Sequence, residues 1–399
     1  MKVSKNSKLI NSILIALLLL VSTSSTFALP PDPDNAAVLY YQVFLIYEKP
    51  DDTMKDMVAD LAKGKIEPNT RITQFIESQK TVTRLVVAAA KLPNCNWGLK
   101  YSDGLSLEMP YLSQARNLTY LILADARTIA ANGDYDLAID RCLTARKLAL
   151  HAASEPIIIN FLVGISIEKL ANKCIQDILS SAPVDLETLQ HLKAELDEFD
   201  NRLLPMELTW DTEREVMASY MTPEKVGEII PLLLGETEED ESEEIKIANE
   251  RILASDEQFC QRNVDYYNEH MTTMFSSFEL PYEQAYARLE KLGNKPSEEF
   301  KENPDATMAA ILAPAVHKIY NNDVSRKSFS NALKTALEIY IINAKTRQLP
   351  DTLPSDLPKD LFSGKPFQYA KTAEGFILRC QGRDLVKDEI YEYEFKIKK

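Results

Sequence analysis

Between residues 109 and 179 the chain reads MPYLSQARNLTYLILADARTIAANGDYDLAIDRCLTARKLALHAASEPIIINFLVGISIEKLANKCIQDIL, and the spacing of its apolar residues decides the fold. Leu118, Ile122, Ala126 and Ile129 recur at intervals of four, four and three, the period of a half-buried helix. Asn132-Gly133-Asp134 ends that helix. Glycine suits the position just past a helix terminus, and the Asp134 carboxylate can accept from the first free amides of the next helix. A second helix therefore starts at Tyr135. A third follows Glu155-Pro156, where a first-turn proline is tolerated because its missing amide would have no helical partner. Ile157, Phe161, Ile165, Leu170, Cys174 and Ile178 leave this helix apolar on nearly all sides, so it is the expected centre of the domain.

Ala126, Gly133, Tyr135, Ala138 and Ala145 supply small and aromatic packing residues across the first hairpin. On those residues the hairpin resembles one tetratricopeptide unit of about 34 residues. From Asn35 to about Leu179 the chain is similar to exported bacterial proteins of unknown function built as irregular helical arrays. The expected fold class is mainly α: an irregular helical-hairpin array, tetratricopeptide-like, followed by a small C-terminal α+β domain.

Glu168 stands out in the third helix, because Phe161, Gly164, Ile165, Ala171 and Ile175 surround it at helical spacing. An unpaired carboxylate there would be costly. Two readings follow: a ligand-binding group or raised-pKa acid, or an ion pair with Arg127, Arg141 or Arg146.

The first residues and the net charge carry an expectation about location and partners. Lys2, Lys5 and Lys8 precede an apolar run from Leu9 to Val21, and a small, polar stretch ends in Thr26-Phe27-Ala28. This is the pattern of a signal peptide over residues 1–28, cleaved after Ala28, and the expected location is periplasmic or secreted. Retention of the run as an anchor is the alternative. After cleavage no membrane span is expected. The net charge of -15 argues against nucleic acid and anionic lipid as partners. Cys95, Cys142, Cys174, Cys260 and Cys380 form no close-spaced metal pattern. Export permits disulfides, and Cys142 with Cys174 is the first pair to examine.

A helical array domain is expected over 29–234, with a helix beginning near Asn35, a short one capped by Asp51-Asp52, and one running roughly from Asn69 to Lys91. Residues 93–110 break the pattern with Trp97, Tyr101 and Gly104. Such a loop either contacts a ligand, through Trp97 and Tyr101, or plugs the end of a helical layer. Glu207, Asp211 and Glu215 are spaced by four and share one helix face. A carboxylate metal site in a bundle characteristically adds Glu-x-x-His, which is missing, so a solvated acidic face is expected. His151, His191, His270 and His317 fall in four separate segments. The run of acids over 235–244 reads as a hydrated linker. A long-helix region is expected over 245–327: one helix from Ile245 to Phe278, a polar loop from Asn294 to Pro304, and a helix near Ala306 to Tyr320.

The last module, 328–399, changes character. A helix from Ser328 to Arg347 gives way to Leu349, Leu353, Leu357 and Leu361 alternating with Pro350, Pro354 and Pro358, an extended segment. Strands are expected at 367–370, 375–380 and 389–398, the last with Tyr391, Tyr393, Phe395 and Ile397 on one face. The helix end, Leu349-Pro350-Asp351, Asp360-Leu361-Phe362-Ser363-Gly364, Gly375-Phe376-Ile377-Leu378 and Gln381-Gly382-Arg383-Asp384 resemble the C-terminal part of the major pseudopilins of type II secretion, over about 70 residues. That resemblance implies a calcium loop with Asp384 and Asp388 as oxygen ligands. Here Leu385, Val386 and Lys387 intervene and the loop lacks its glycines, which predicts no tight site.

The expected function is an exported helical scaffold binding a protein or peptide, since stacked hairpins expose a continuous inner face. A component of an envelope secretion or assembly machine is the second reading. The third is a hydrolase using Glu168, Glu207 or Asp211, although no nucleophile, base and orienting group can be placed together. No cofactor is implied.

Overall fold

In the computed structural model the described residues are 32–200, 206–227 and 243–398. The signal-peptide stretch and most of the acidic run lie outside them, as does the Glu207 side chain. Residues 35–398 belong to one compact unit.

Among the described residues four helices come first and contribute Tyr40, Leu61, Ile72 and Val86 to the core. Helices α1 (Ala36–Ile46), α2 (Asp52–Ala62), α3 (Thr70–Ser78) and α4 (Lys80–Ala90) start on polar caps or at a break. Asn35, Asp51 and Asn69 each accept a hydrogen bond from an amide of the first turn of α1, α2 and α3. The single helix expected from Asn69 to Lys91 is two. Gln79, at φ -92° and ψ 11°, leaves the helical ladder between them, and its side chain is buried.

The centre follows the sequence closely. Helices α5 (Tyr111–Ala131), α6 (Tyr135–Ala152) and α7 (Ile158–Ser181) pack together with Leu118, Ile122, Ala126, Ala138, Cys142, Ala145 and Cys174 sealed from solvent. Gly133 takes φ +89°, and Asp134 Oδ1 accepts from the Leu137 amide at 3.2 Å. At Gly164 a side chain would meet Ala153 Cβ at 2.8 Å and the Ala149 carbonyl at 2.9 Å, so α7 crosses α6 at close range there. Helices α8 (Leu186–Asp200) and α9 (Met206–Tyr220) flank this core.

Beyond the acidic run the sequence and the structure part in three places. Helix α10 (Glu243–Leu253) stops, and α11 (Glu257–Phe275) restarts at Asp256, whose side chain accepts from the Phe259 amide at 2.7 Å. The one helix expected from Ile245 is therefore broken by its own cap. Helix α12 (Tyr282–Glu299) runs through Pro296 into the stretch expected to be a polar loop. After the short α13 (Thr307–Leu312), helix α14 runs unbroken from Val316 to Thr346 and covers the expected boundary at 327/328. It ends with Arg347 in the left-handed conformation, φ 61°, just before Leu349-Pro350.

Strands β1 (Gln368–Lys371), β2 (Gly375–Arg379) and β3 (Glu392–Lys396) form an antiparallel sheet in that order, with Phe376 opposite Phe395 and Leu378 opposite Tyr393. Tyr393 and Phe395 are buried while Glu392 and Glu394 face out, the alternation expected. The sheet packs on α14 through Tyr340, whose ring meets Phe376 at 5.6 Å. It also reaches the central helix: Gln176 donates to the Glu394 carbonyl at 2.9 Å. No described helix is long and apolar enough to cross a membrane.

Candidate functional site

The C-terminal module meets the helical body over a cleft of about 820 Å³. Its walls come from the start of α12, the first half of α14 and the loops at 361–365 and 381–390. One wall is a ladder of rings. Phe278 stacks on Tyr320 at 5.4 Å, Tyr320 on Tyr282 at 6.0 Å, and Phe362 meets Tyr282 edge-on at 5.0 Å. Such offset and edge contacts hold rings in fixed positions. Lys327, Lys365 and Arg383 stand on the rim.

The loops beneath the cleft are tied to one carboxylate. Asp360 is fully buried and accepts from the amides of Phe362, Gln381 and Gly382 at 2.8–2.9 Å and from the Ser363 hydroxyl at 2.7 Å. Asp360→Asn replaces an acceptor of those bonds with a donor, and is expected to lower stability by about 1–3 kcal/mol. Chemical denaturation checks the size, and an unchanged midpoint would show that the loops hold without it.

Behind the cleft lies a chain of buried charges. Arg326 Nη1 donates to Glu168 Oε2 at 2.8 Å, and Arg326 Nε and Nη2 donate to Asp323 Oδ1 at 3.1 and 2.6 Å. Lys327 Nζ lies 2.7 Å from Asp323 Oδ2 and carries the chain out to the rim. Arg146 Nη2 stands 3.5 Å from Glu168 Oε1, its Nη1 donates to Asn172, and its guanidinium lies over the Phe199 ring at 4.0 Å. Burial alone would raise the Asp323 carboxyl, but the Arg326 and Lys327 charges hold it below the ordinary carboxylate range. Burial likewise opposes the Arg326 charge, and Glu168 and Asp323 more than restore it.

The residues singled out in the sequence are dispersed. Glu168 is 1% exposed and paired to two arginines, so it is separated from solvent. Of the expected partners Arg146 is present. Arg127 pairs with Asp177 and Arg141 with Asp125, while Arg326 comes from a helix 158 residues further on. Trp97 is buried, stacked on Tyr111 at 4.1 Å, and its indole N–H donates to the His151 carbonyl at 2.7 Å. Its backbone amide and the Tyr101 hydroxyl both donate to Glu155, at 2.9 and 2.5 Å. The loop thus closes the end of the first helical layers. Tyr101 remains partly exposed beside a separate cavity of about 260 Å³. Asp211 and Glu215 face solvent, with Asp211 paired to Arg214 at 3.2 Å.

Asp384 and Asp388 point in opposite senses. Asp384 is fully buried; its Oδ1 accepts from Asn321 and the amides of Val386 and Lys387, and its Oδ2 accepts from the Tyr391 hydroxyl. Asp388 is exposed and paired with Arg383. Protein donors therefore occupy the Asp384 oxygens that a calcium ion would need. Among the described residues no group of three or more His, Cys, Asp or Glu is placed to hold a metal. Cys142 and Cys174, both fully buried, are brought together as free thiols. Burial pushes the Cys142 thiol up, and it hydrogen-bonds to Cys174.

Sequence reasoning passed over Asp323, Arg326 and Lys327, and it named Asp360 within the pseudopilin resemblance without giving it a role. The signal for the first three was a polar run, Asn321-Asn322-Asp323, in the middle of an otherwise amphipathic stretch. Compared with family models, with curated proteins and with solved structures, the chain matches none.

Proposed function

We propose that the protein is an exported helical scaffold that takes a short segment of a protein partner into the cleft between its helical body and its C-terminal module. The carrying observation is the cleft itself, about 820 Å³ with a ladder of aromatic rings along one wall. Tyr282, Tyr320 and Phe362 are themselves buried and make the wall rigid, and half-buried Phe278 offers the ring that a partner can reach. Of the rim cations Lys327 and Arg383 are paired to Asp323 and Asp388, which leaves Lys365 to meet an acidic side chain of that segment. Export rests on the leader pattern of residues 1–28.

A photo-crosslinking side chain at Gln284, on the exposed lip of the cleft, tests this reading against the same group at Lys55 on α2. In an envelope fraction a discrete adduct is expected from Gln284 alone. Equal adducts from both positions, or none from Gln284, would sink the proposal.

A second reading, a component of an envelope secretion or assembly machine, is favoured by the order of elements at the C-terminus. A long helix leads through a proline-rich segment into a three-stranded antiparallel sheet, as in the pseudopilin resemblance. It predicts that the Gln284 adduct contains a subunit of such a machine.

A further inference from the structure

A second cavity, of about 550 Å³, opens on the far side of α14 between α7 and the last strand. Lys169, Lys173, Lys387 and Lys396 line it beside Asp177, Glu392 and Glu394, of which Asp177 is paired to Lys173 and Arg127 and Glu392 to Arg379. Three of the four are engaged. Lys173 pairs with Asp177 at 2.7 Å, Lys396 with Glu374 at 2.9 Å, and Lys387 lies 3.8 Å from Glu389 and over the Tyr391 ring. Lys169, only partly exposed, has no hydrogen-bond or ion-pair partner among the described residues. The acids that act on it are already committed: Asp323 to Arg326 and Lys327, Asp384 to Asn321, Tyr391 and two amides. Ser325 and Tyr391 add hydroxyls to the same wall.

We propose that this cavity binds a small anion bearing a carboxylate or a phosphate, with Lys169 as its principal contact and Lys387 as the second. An anion would supply the counter-charge that the fold withholds from Lys169, with the Lys387 ammonium as a second donor to fix its orientation. Nothing in this depends on the cleft or on a protein partner.

Burial, and then the nearby Lys387 charge, lower the Lys169 ammonium to about 8; Arg326 acts in the same sense, while Asp384 and Asp323 oppose it. The free amine is therefore more reactive toward acylating reagents near neutral pH than an ordinary lysine. Binding an anion favours the charged form, so affinity is expected to weaken as pH rises through about 8.

Competitive acetylation of the full chain, read by peptide mass spectrometry, measures this at one site. At an anion concentration about ten times its Kd, labelling of Lys169 is expected to slow roughly tenfold, while exposed Lys65 is unaffected. Inorganic phosphate and malonate are the probes, each against chloride at equal ionic strength. Protection by phosphate alone identifies a phosphate site, by malonate alone a carboxylate site, and by both a site for the shared charge. Titration calorimetry with the protecting anion should then give no heat with Lys169→Gln and unchanged heat with Lys65→Gln. Failure of both anions to protect Lys169, or undiminished binding to Lys169→Gln, overturns the proposal.

Discussion

Arg326→Met is expected to destabilise the protein by about 3–5 kcal/mol, because removing one partner leaves buried charge uncompensated. Two carboxylates lose their common guanidinium at once. Among the described residues Glu168 keeps Arg146 at 3.5 Å, and Asp323 keeps Lys327 at 2.7 Å. Urea denaturation followed by circular dichroism gives the value. Arg326→Lys should recover little, since an ammonium lacks the fork that reaches Glu168 and Asp323 together. Adding Glu168→Gln to Arg326→Met should restore part of the loss, the sign of a coupled pair. A cost below about 1 kcal/mol for Arg326→Met, the range of exposed pairs, would mean that the charges are hydrated in solution.

Trp97→Ala should cost about 3–5 kcal/mol through the cavity left by a large ring. It also leaves the His151 carbonyl without its indole donor. The ring fills the space between Tyr40, Phe44 and Tyr111, at centroid separations of 5.6, 6.3 and 4.1 Å, so no single neighbour can collapse into the gap. Amide exchange over residues 93–110 should accelerate in the variant, because the Glu155 contacts depend on the loop being seated. Wild-type stability in Trp97→Ala would return the loop to the class of mobile ligand-contacting segments.

Where local chemistry decides structure, the sequence was legible. Gly133-Asp134 set the hairpin between α5 and α6, and the alternation from Tyr391 to Ile397 set the buried face of β3. Where a distant partner decides, it was not. The expected helices stopped near Tyr320 and restarted at Ser328, because the partners of Asn321 and Arg326, Asp384 and Glu168, are remote in sequence. Once those partners are present, the polar groups are satisfied and α14 continues through them. Pro296 misled in a similar way: a proline normally ends a helix, yet α12 carries it within its last turns. The cleft and the lysine cavity were beyond reach for the same reason, since each is lined by segments that meet only in the folded chain.

The long loop closed by Glu168 and Arg326 has a consequence for how the protein is made. Synthesis proceeds from the N-terminus, so α5, α6 and α7 emerge with their central carboxylate short of one arginine for the next 158 residues. Contacts between such distant segments form late, because the entropy of closing the loop must be met before the contact rewards it. Completion of the core therefore waits for α14. Strand β3 then docks on Gln176 and Ser180 of α7, so a segment translated long after the central helix locks it in place.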